Sequence, residues 1–107
     1  MRFFQPEEKF SNYYQIELCI DTEGKGAVYK ARNTRLGNEI ALKIFNPVLF
    51  PDREAYGLFE EKAQAFARLN HPNIARFFHY GTFEEMPFVA MEFIPGQPLY
   101  QYLQTSA

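Results

Sequence analysis

The first 45 residues hold three β-prone runs joined by turns of only a few residues. Tyr13 to Thr22 alternates, with Tyr14, Ile16, Leu18 and Ile20 on one face. Glu23 to Gly26 forms a turn, Ala27 to Thr34 a second strand, and Arg35 to Glu39 a second turn containing Gly and Asn. The third run, "EIALKIF", has a period of two. It puts Ile40, Leu42 and Ile44 on one face and Ala41, Lys43 and Phe45 on the other. Strands connected this tightly form an antiparallel meander.

Pro47 and Pro51 end the third strand and bracket a loop. Asp52 is placed to cap a helix running to about Leu69, with Glu54 in its first turn. "NHPN" (Asn70 to Asn73) stops that helix. Two further strands are expected at Ile74 to Tyr80 and Pro87 to Phe93, joined by "GTFEEM". Ile94 to Pro98 breaks the pattern, and "LYQYLQ" opens a further helix. The order βββ-α-ββ predicts an α+β fold: a five-stranded antiparallel sheet, one packed helix and the start of another. Residues 1–12 are set apart as an N-terminal extension, 13–94 form the domain and 95–107 leave it.

A chain of 107 residues suits one domain, and 47% hydrophobic residues suffice for a core. The net charge of −2, from 11 basic and 13 acidic residues without blocks, excludes the basic footprint of nucleic-acid binding. The single cysteine, Cys19, excludes an internal disulfide and fits a reducing compartment. "MRFFQPEEKF" lacks the apolar stretch of a signal peptide, and no run approaches membrane-spanning length. The domain therefore reads as cytoplasmic, with no membrane partner. Twelve Phe and 7 Tyr bring aromatics to 18%, more bulky apolar surface than so small a domain easily hides. Some of it is expected to meet another surface.

Four stretches carry a family resemblance, in order and at matching spacing across about residues 13 to 104. "EGKGAVYKA" resembles the second half of the protein-kinase glycine-rich loop. "IALK" resembles the strand whose lysine contacts the α- and β-phosphates. "ARLNHPNIARFFHYG" is similar to the helix-C end and fourth strand of bacterial-type Ser/Thr kinases. "PFVAMEFIPGQPLYQYL" is similar to the fifth strand, hinge and start of helix D. The resemblance implies a protein-kinase N-lobe.

By that resemblance Lys43 is the phosphate-contacting lysine, and Ile20, Val28 and Ala41 line an adenine pocket with Met91 as gatekeeper. The backbone of Glu92 and Ile94 supplies hinge hydrogen bonds, and Gly24 and Gly26 lie over the phosphates. ATP is the implied cofactor, with Mg²⁺ only when a C-lobe is present. Strand alternation agrees in one respect, because Ala41 and Lys43 share a face. A solvated strand lysine remains the alternative reading of Lys43.

Several positions depart from the family pattern. Its Gly-x-Gly-x-x-Gly falls on Asp21, Glu23 and Gly26, so only the last glycine is kept. A carboxylate at Glu23 brings negative charge towards the phosphates, unless Asp21 and Glu23 point to solvent. On the helix, the place of the family's lysine-pairing glutamate falls on Lys62. Helical periodicity groups Lys62 with Ala55, Phe59, Ala63, Phe66 and Leu69, and leaves Glu60, Glu61 and Gln64 on the far side. A rotated helix would let Glu61 reach inward at the cost of exposing two Phe.

The family's His-Arg-Asp and Asp-Phe-Gly motifs do not occur here. Neither His71 nor His79 is assigned a catalytic role, and no metal site is assigned. Two functions follow. One is an ATP-binding kinase N-lobe that transfers phosphate only with a C-lobe. The other is a pseudokinase-like interaction module that binds a protein partner or forms a homodimer. P-loop nucleotide binding is excluded, since no Gly-x-x-x-x-Gly-Lys-Ser/Thr occurs.

Overall fold

A computed structural model of the chain describes residues 2–68 and 76–96. The elements are β1 (Lys9–Phe10), β2 (Tyr14–Glu23), β3 (Gly26–Asn33), β4 (Glu39–Phe45), a 3₁₀ turn (Pro47–Leu49), α1 (Arg53–Ala67), β5 (Phe77–Phe83) and β6 (Met86–Glu92). The strands form one six-stranded antiparallel sheet in the order β1-β2-β3-β4-β6-β5. The α+β architecture is as expected, with one strand more than the expected five.

That extra strand lies in the segment read as an extension. Lys9 and Phe10 pair with Gln15 and Tyr14. Phe10 is fully buried and Phe4 is 3% exposed. The Phe4 N–H donates to the Tyr29 hydroxyl at 3.1 Å. A two-residue strand is too short to show periodicity, so only tertiary packing reveals it.

The alternation of β4 divides the interior in two. Ile40, Leu42 and Ile44 join Phe10, Tyr14, Ile16, Tyr29 and Phe88 in one apolar layer. Ala41 and Phe45 join Val28, Phe59, Val89 and Met91 in the layer beneath α1. Phe59 is the hub of the second layer, with ring centroids 5.3 Å from Phe45, 5.5 Å from Phe50 and 6.2 Å from Tyr80. Most of the heavy aromatic content is used in these two layers. Phe3, Tyr13 and Phe78 are exposed large aromatics among the described residues.

The helix starts where its cap predicts, with the Ala55 N–H donating to Asp52 Oδ1 at 2.9 Å and Glu54 in the first turn. It docks on β5 through Gln64 Nε2, which donates to the Tyr80 hydroxyl at 3.1 Å, and through a Tyr56–Thr82 hydroxyl contact. Leu69, the expected helix end, and the "NHPN" stop lie outside the described residues, as does the helix expected after Pro98.

Two sequence expectations are corrected. Tyr14, Ile16, Leu18 and Ile20 do not share a face: irregularities between Ile16 and Leu18 and between Cys19 and Asp21 shift the pairing of β2 with β3. Each inserts one residue and reverses the side-chain phase. Tyr14 and Ile16 therefore enter the first layer, Leu18 is exposed, and Ile20 packs against the second.

The strand expected at Ile74 to Tyr80 is observed as Phe77–Phe83, with Ile74 and Ala75 outside the described residues. "GTF" continues the strand because the chain reverses in two residues, Glu84 and Glu85, both at positive φ (50° and 67°). Tight hairpin turns favour Asn and Gly at such positions, so a Glu-Glu turn hides the signal.

The packing of the N-terminal segment is directly testable. Phe10→Ala is expected to cost about 3–5 kcal/mol of unfolding free energy in urea denaturation. A cost below about 1 kcal/mol would show that this segment is not part of the core.

Candidate functional site

The β2–β3 turn, β4 and the end of β6 form one face beneath α1. Across β3 and β4, Val28 pairs with Lys43, and across β4 and β6 Ala41 pairs with Met91. Val28 is fully buried, while Ala41, Lys43 and Met91 are each 1% exposed. Ile20 packs half-buried against the same cluster. The sheet thus brings together all five side chains expected to meet base or phosphate. Ile20 reaches them only through the irregularities in β2.

Lys43 is a buried lysine and not a solvated strand residue. Its Nζ lies 5.1 Å from the Phe45 ring centroid, within cation–π range. The helix opposite presents Phe59 and Ala63 as its buried residues, with Ala55 and Phe66 half-buried. Lys62, grouped by periodicity with that inward set, is exposed at the rim of the cavity beneath the helix. Glu61 is also exposed. The Phe59 stripe fixes the rotation, and the long lysine stem lets its charge stay in water.

The two glycines of the turn differ. A Cβ on Gly26 would be driven into the Ile44 carbonyl oxygen, whereas one on Gly24 would meet nothing within 4 Å. Gly26 is therefore required by the close approach of β3 to β4, whatever the turn binds. The turn is anchored from behind: the Asn46 N–H donates to the Lys25 carbonyl at 2.8 Å, and Asn46 Nδ2 to that of Gly24 at 3.3 Å. Asp21 accepts the Thr22 N–H at 2.8 Å. The Glu23 carboxylate and His71 lie outside what the structure describes.

At the hinge end, the Glu92 N–H donates to the Arg76 carbonyl at 2.7 Å, and Glu92 Oε1 accepts the Arg76 N–H at 3.2 Å. A base contact from the Glu92 backbone must then come from its carbonyl. Ile94 is on the exposed side of the exit, at 36%. Lys30 Nζ lies 2.8 Å from Glu39 and 3.7 Å from Glu17, and Arg32 joins the same carboxylates. The hydrogen bond between Lys30 and Glu39 raises the lysine above its ordinary pKa and lowers the glutamate. These partly exposed charges pair with one another. His79 meets the Tyr14 hydroxyl through Nδ1 at 3.3 Å and packs on Phe88. Burial is the main cause that pushes the Cys19 thiol above its ordinary pKa.

A lobe with this strand order, a buried lysine on its third long strand and one helix over that face is the N-lobe of the protein-kinase fold. No protein-family model matches the chain. It is 36% identical over 91 residues to serine/threonine-protein kinase pkn3 of Myxococcus xanthus, covering 84% of this chain and 17% of that protein. It is 34% identical over 99 residues to the probable serine/threonine-protein kinase PknB of Lactococcus lactis, covering 92% and 16%. The PknI kinase domain of Mycobacterium tuberculosis superposes with a TM-score of 0.78 at 23% identity, over 96% of this chain and 42% of that one. The chain belongs with the bacterial serine/threonine protein kinases, as an N-lobe, and spans less than a fifth of the length of these two curated relatives.

The two glycines separate in a stability measurement. Gly26→Ala is expected to cost about 1–3 kcal/mol, as overpacking against backbone does. Gly24→Ala should stay within about 0.5 kcal/mol. Equal costs in parallel thermal melts would contradict the close approach at Ile44.

Proposed function

We propose that this chain is the ATP-binding N-lobe of a serine/threonine kinase-like protein of the cytoplasm. The adenine lies against Ile20, Val28, Ala41 and Met91, and the carbonyl of Glu92 and the backbone of Ile94 face its edge. Lys43 contacts the phosphates beneath the Gly24–Gly26 turn. The observation that carries this reading is the burial of Lys43, 1% exposed, on the face that holds those four apolar side chains. A lysine on the same face as those apolar side chains suits one site that takes both a base and its phosphates.

Positioning and charge neutralisation are what such a lobe contributes to phosphoryl transfer. The base that receives the substrate hydroxyl proton and the carboxylate that holds Mg²⁺ belong, in this family, to the C-lobe. The chain does not transfer phosphate alone, and a C-lobe is its first partner. Lys43→Met should weaken Mg-ATP binding at least about tenfold, measured by titration calorimetry with a C-lobe supplied. Unchanged affinity would remove the nucleotide reading.

A second reading is an interaction module that self-associates. It is favoured by Tyr13, Leu36 and Phe78, which are 41%, 78% and 42% exposed and line one groove with Arg35 and His79. A groove with three exposed apolar side chains among polar ones suits a protein surface. Light scattering on the chain should then give the mass of a homodimer, and Leu36→Asp should return it to a monomer. A monomer at every concentration up to the millimolar range would count against self-association.

A further inference from the structure

We propose that the groove at the edge of the first layer takes an acidic peptide segment, one with a bulky apolar residue flanked by carboxylates. This goes beyond the self-association reading by giving the same groove a different occupant. It is independent of the nucleotide reading, because none of Ile20, Val28, Ala41, Lys43 and Met91 lines this groove.

The N-terminal segment covers only part of the first layer, where Phe4 packs on Tyr29 and Phe10 on Phe88. Elsewhere in that layer, the buried side chains of Tyr14 and Ile40 line a groove of about 520 Å³, with Tyr13, Leu36 and Phe78 exposed around them. Ring edges and faces of this kind suit a large apolar side chain, an aromatic one best.

One wall is built before anything binds. Asn33 Oδ1 accepts the N–H groups of Arg35 and Leu36 at 2.9 and 3.0 Å. The Asn33 carbonyl accepts the Gly37 N–H at 2.8 Å, and the Asn33 N–H donates to the Asn38 carbonyl at 2.9 Å. These bonds hold the β3–β4 turn that presents Arg35 and Leu36, and a wall held in place loses less freedom when a partner is bound.

Charge names the partner. The Arg35 guanidinium lies 5.2 Å from the Tyr13 ring centroid, and that of Arg76 lies 5.8 Å from the Phe78 centroid. Both rings line the groove. Neither arginine forms an ion pair with a described residue, and no carboxylate is among the described residues of the wall. The neighbouring acids are engaged: Glu39 pairs with Lys30 and Arg32, and Glu92 accepts the backbone N–H of Arg76. A guanidinium stacked on a ring keeps its in-plane N–H groups for a carboxylate. A second copy suits these arginines less well, since an isologous contact brings the same patch from both chains and supplies no carboxylate from either groove. An uncharged partner would leave both arginines unused, and a small free anion would leave the rings uncovered.

The test uses the whole chain and three end-blocked pentapeptides, Asp-Glu-Phe-Glu-Asp, Asn-Gln-Phe-Gln-Asn and Asp-Glu-Ala-Glu-Asp, titrated separately by calorimetry. The first should bind at least about tenfold more tightly than either of the others, as expected where charge-assisted contacts and a buried ring both contribute. The double variant Arg35→Ala/Arg76→Ala should abolish the preference for carboxylates. Lys62→Ala, on the opposite side of the sheet, should leave it unchanged. The proposal is overturned if the first peptide does not bind, if it binds no better than either of the others, or if the double variant keeps the preference. It is equally overturned if Lys62→Ala weakens binding as much as the double variant does, which would mark attraction to any surface cation. Light scattering on the same samples separates this proposal from self-association. A homodimer that takes up no peptide keeps self-association and removes the proposal; a monomer that binds the acidic peptide through the two arginines does the reverse. The comparison of peptides on the unaltered chain decides the matter even where the double variant fails to fold.

Discussion

Everything in this lobe depends on β4 being covered on both faces. The strand is hydrogen-bonded to β3 on one side and β6 on the other, and its side chains alternate between two apolar layers. Ile40, Leu42 and Ile44 hold the layer that the N-terminal segment closes with Phe4 and Phe10. Ala41, Lys43 and Phe45 face α1. A strand buried this way has no solvent face on which to leave a charge, so Lys43 is itself buried, 1% exposed. Among the described residues, the one buried charged side chain is thus also the one expected to meet phosphate.

The second layer owes its shape to aromatic packing. Phe59 gathers Phe45, Phe50, Tyr56 and Tyr80 around itself in edge-to-face and tilted contacts. Those contacts set the rotation of α1. Once Phe59 and Ala63 point inward, Lys62 is carried to the rim and Glu61 to solvent. Large rings also leave gaps where they meet at angles, and the cavity beneath the helix is lined by them. The same packing that stabilises the lobe therefore creates an opening lined by aromatic rings.

Much of the fold was legible in the residues. The period of two in "EIALKIF", the Asp52 cap with Glu54 behind it, and the short Gly/Asn turns are local signals, and each is observed where it was read. The gathering of Val28, Ala41, Lys43 and Met91 could be anticipated from alternation together with the resemblance. The requirement for Gly26 could not, because it arises from the carbonyl of a residue eighteen positions away. The hairpin at Glu84 and Glu85 was hidden by side chains that ordinarily avoid positive φ. The contribution of Phe4 and Phe10 was hidden by the brevity of the strand that carries them.

The sequence by itself determined which side chains of β4 face which way, where α1 begins, and that a lysine stands among apolar neighbours. These follow from backbone periodicity and from hydrogen bonds between residues a few positions apart. Only the tertiary structure decided that Ile20 joins Val28 and not Ile16. An inserted residue in β2 is defined by its pairing with β3, and a one-residue slip exchanges the two faces of a strand. Only the tertiary structure, too, turned Lys25 and Lys62 into two walls of one cavity, since nothing local relates a turn between strands to the middle of a helix.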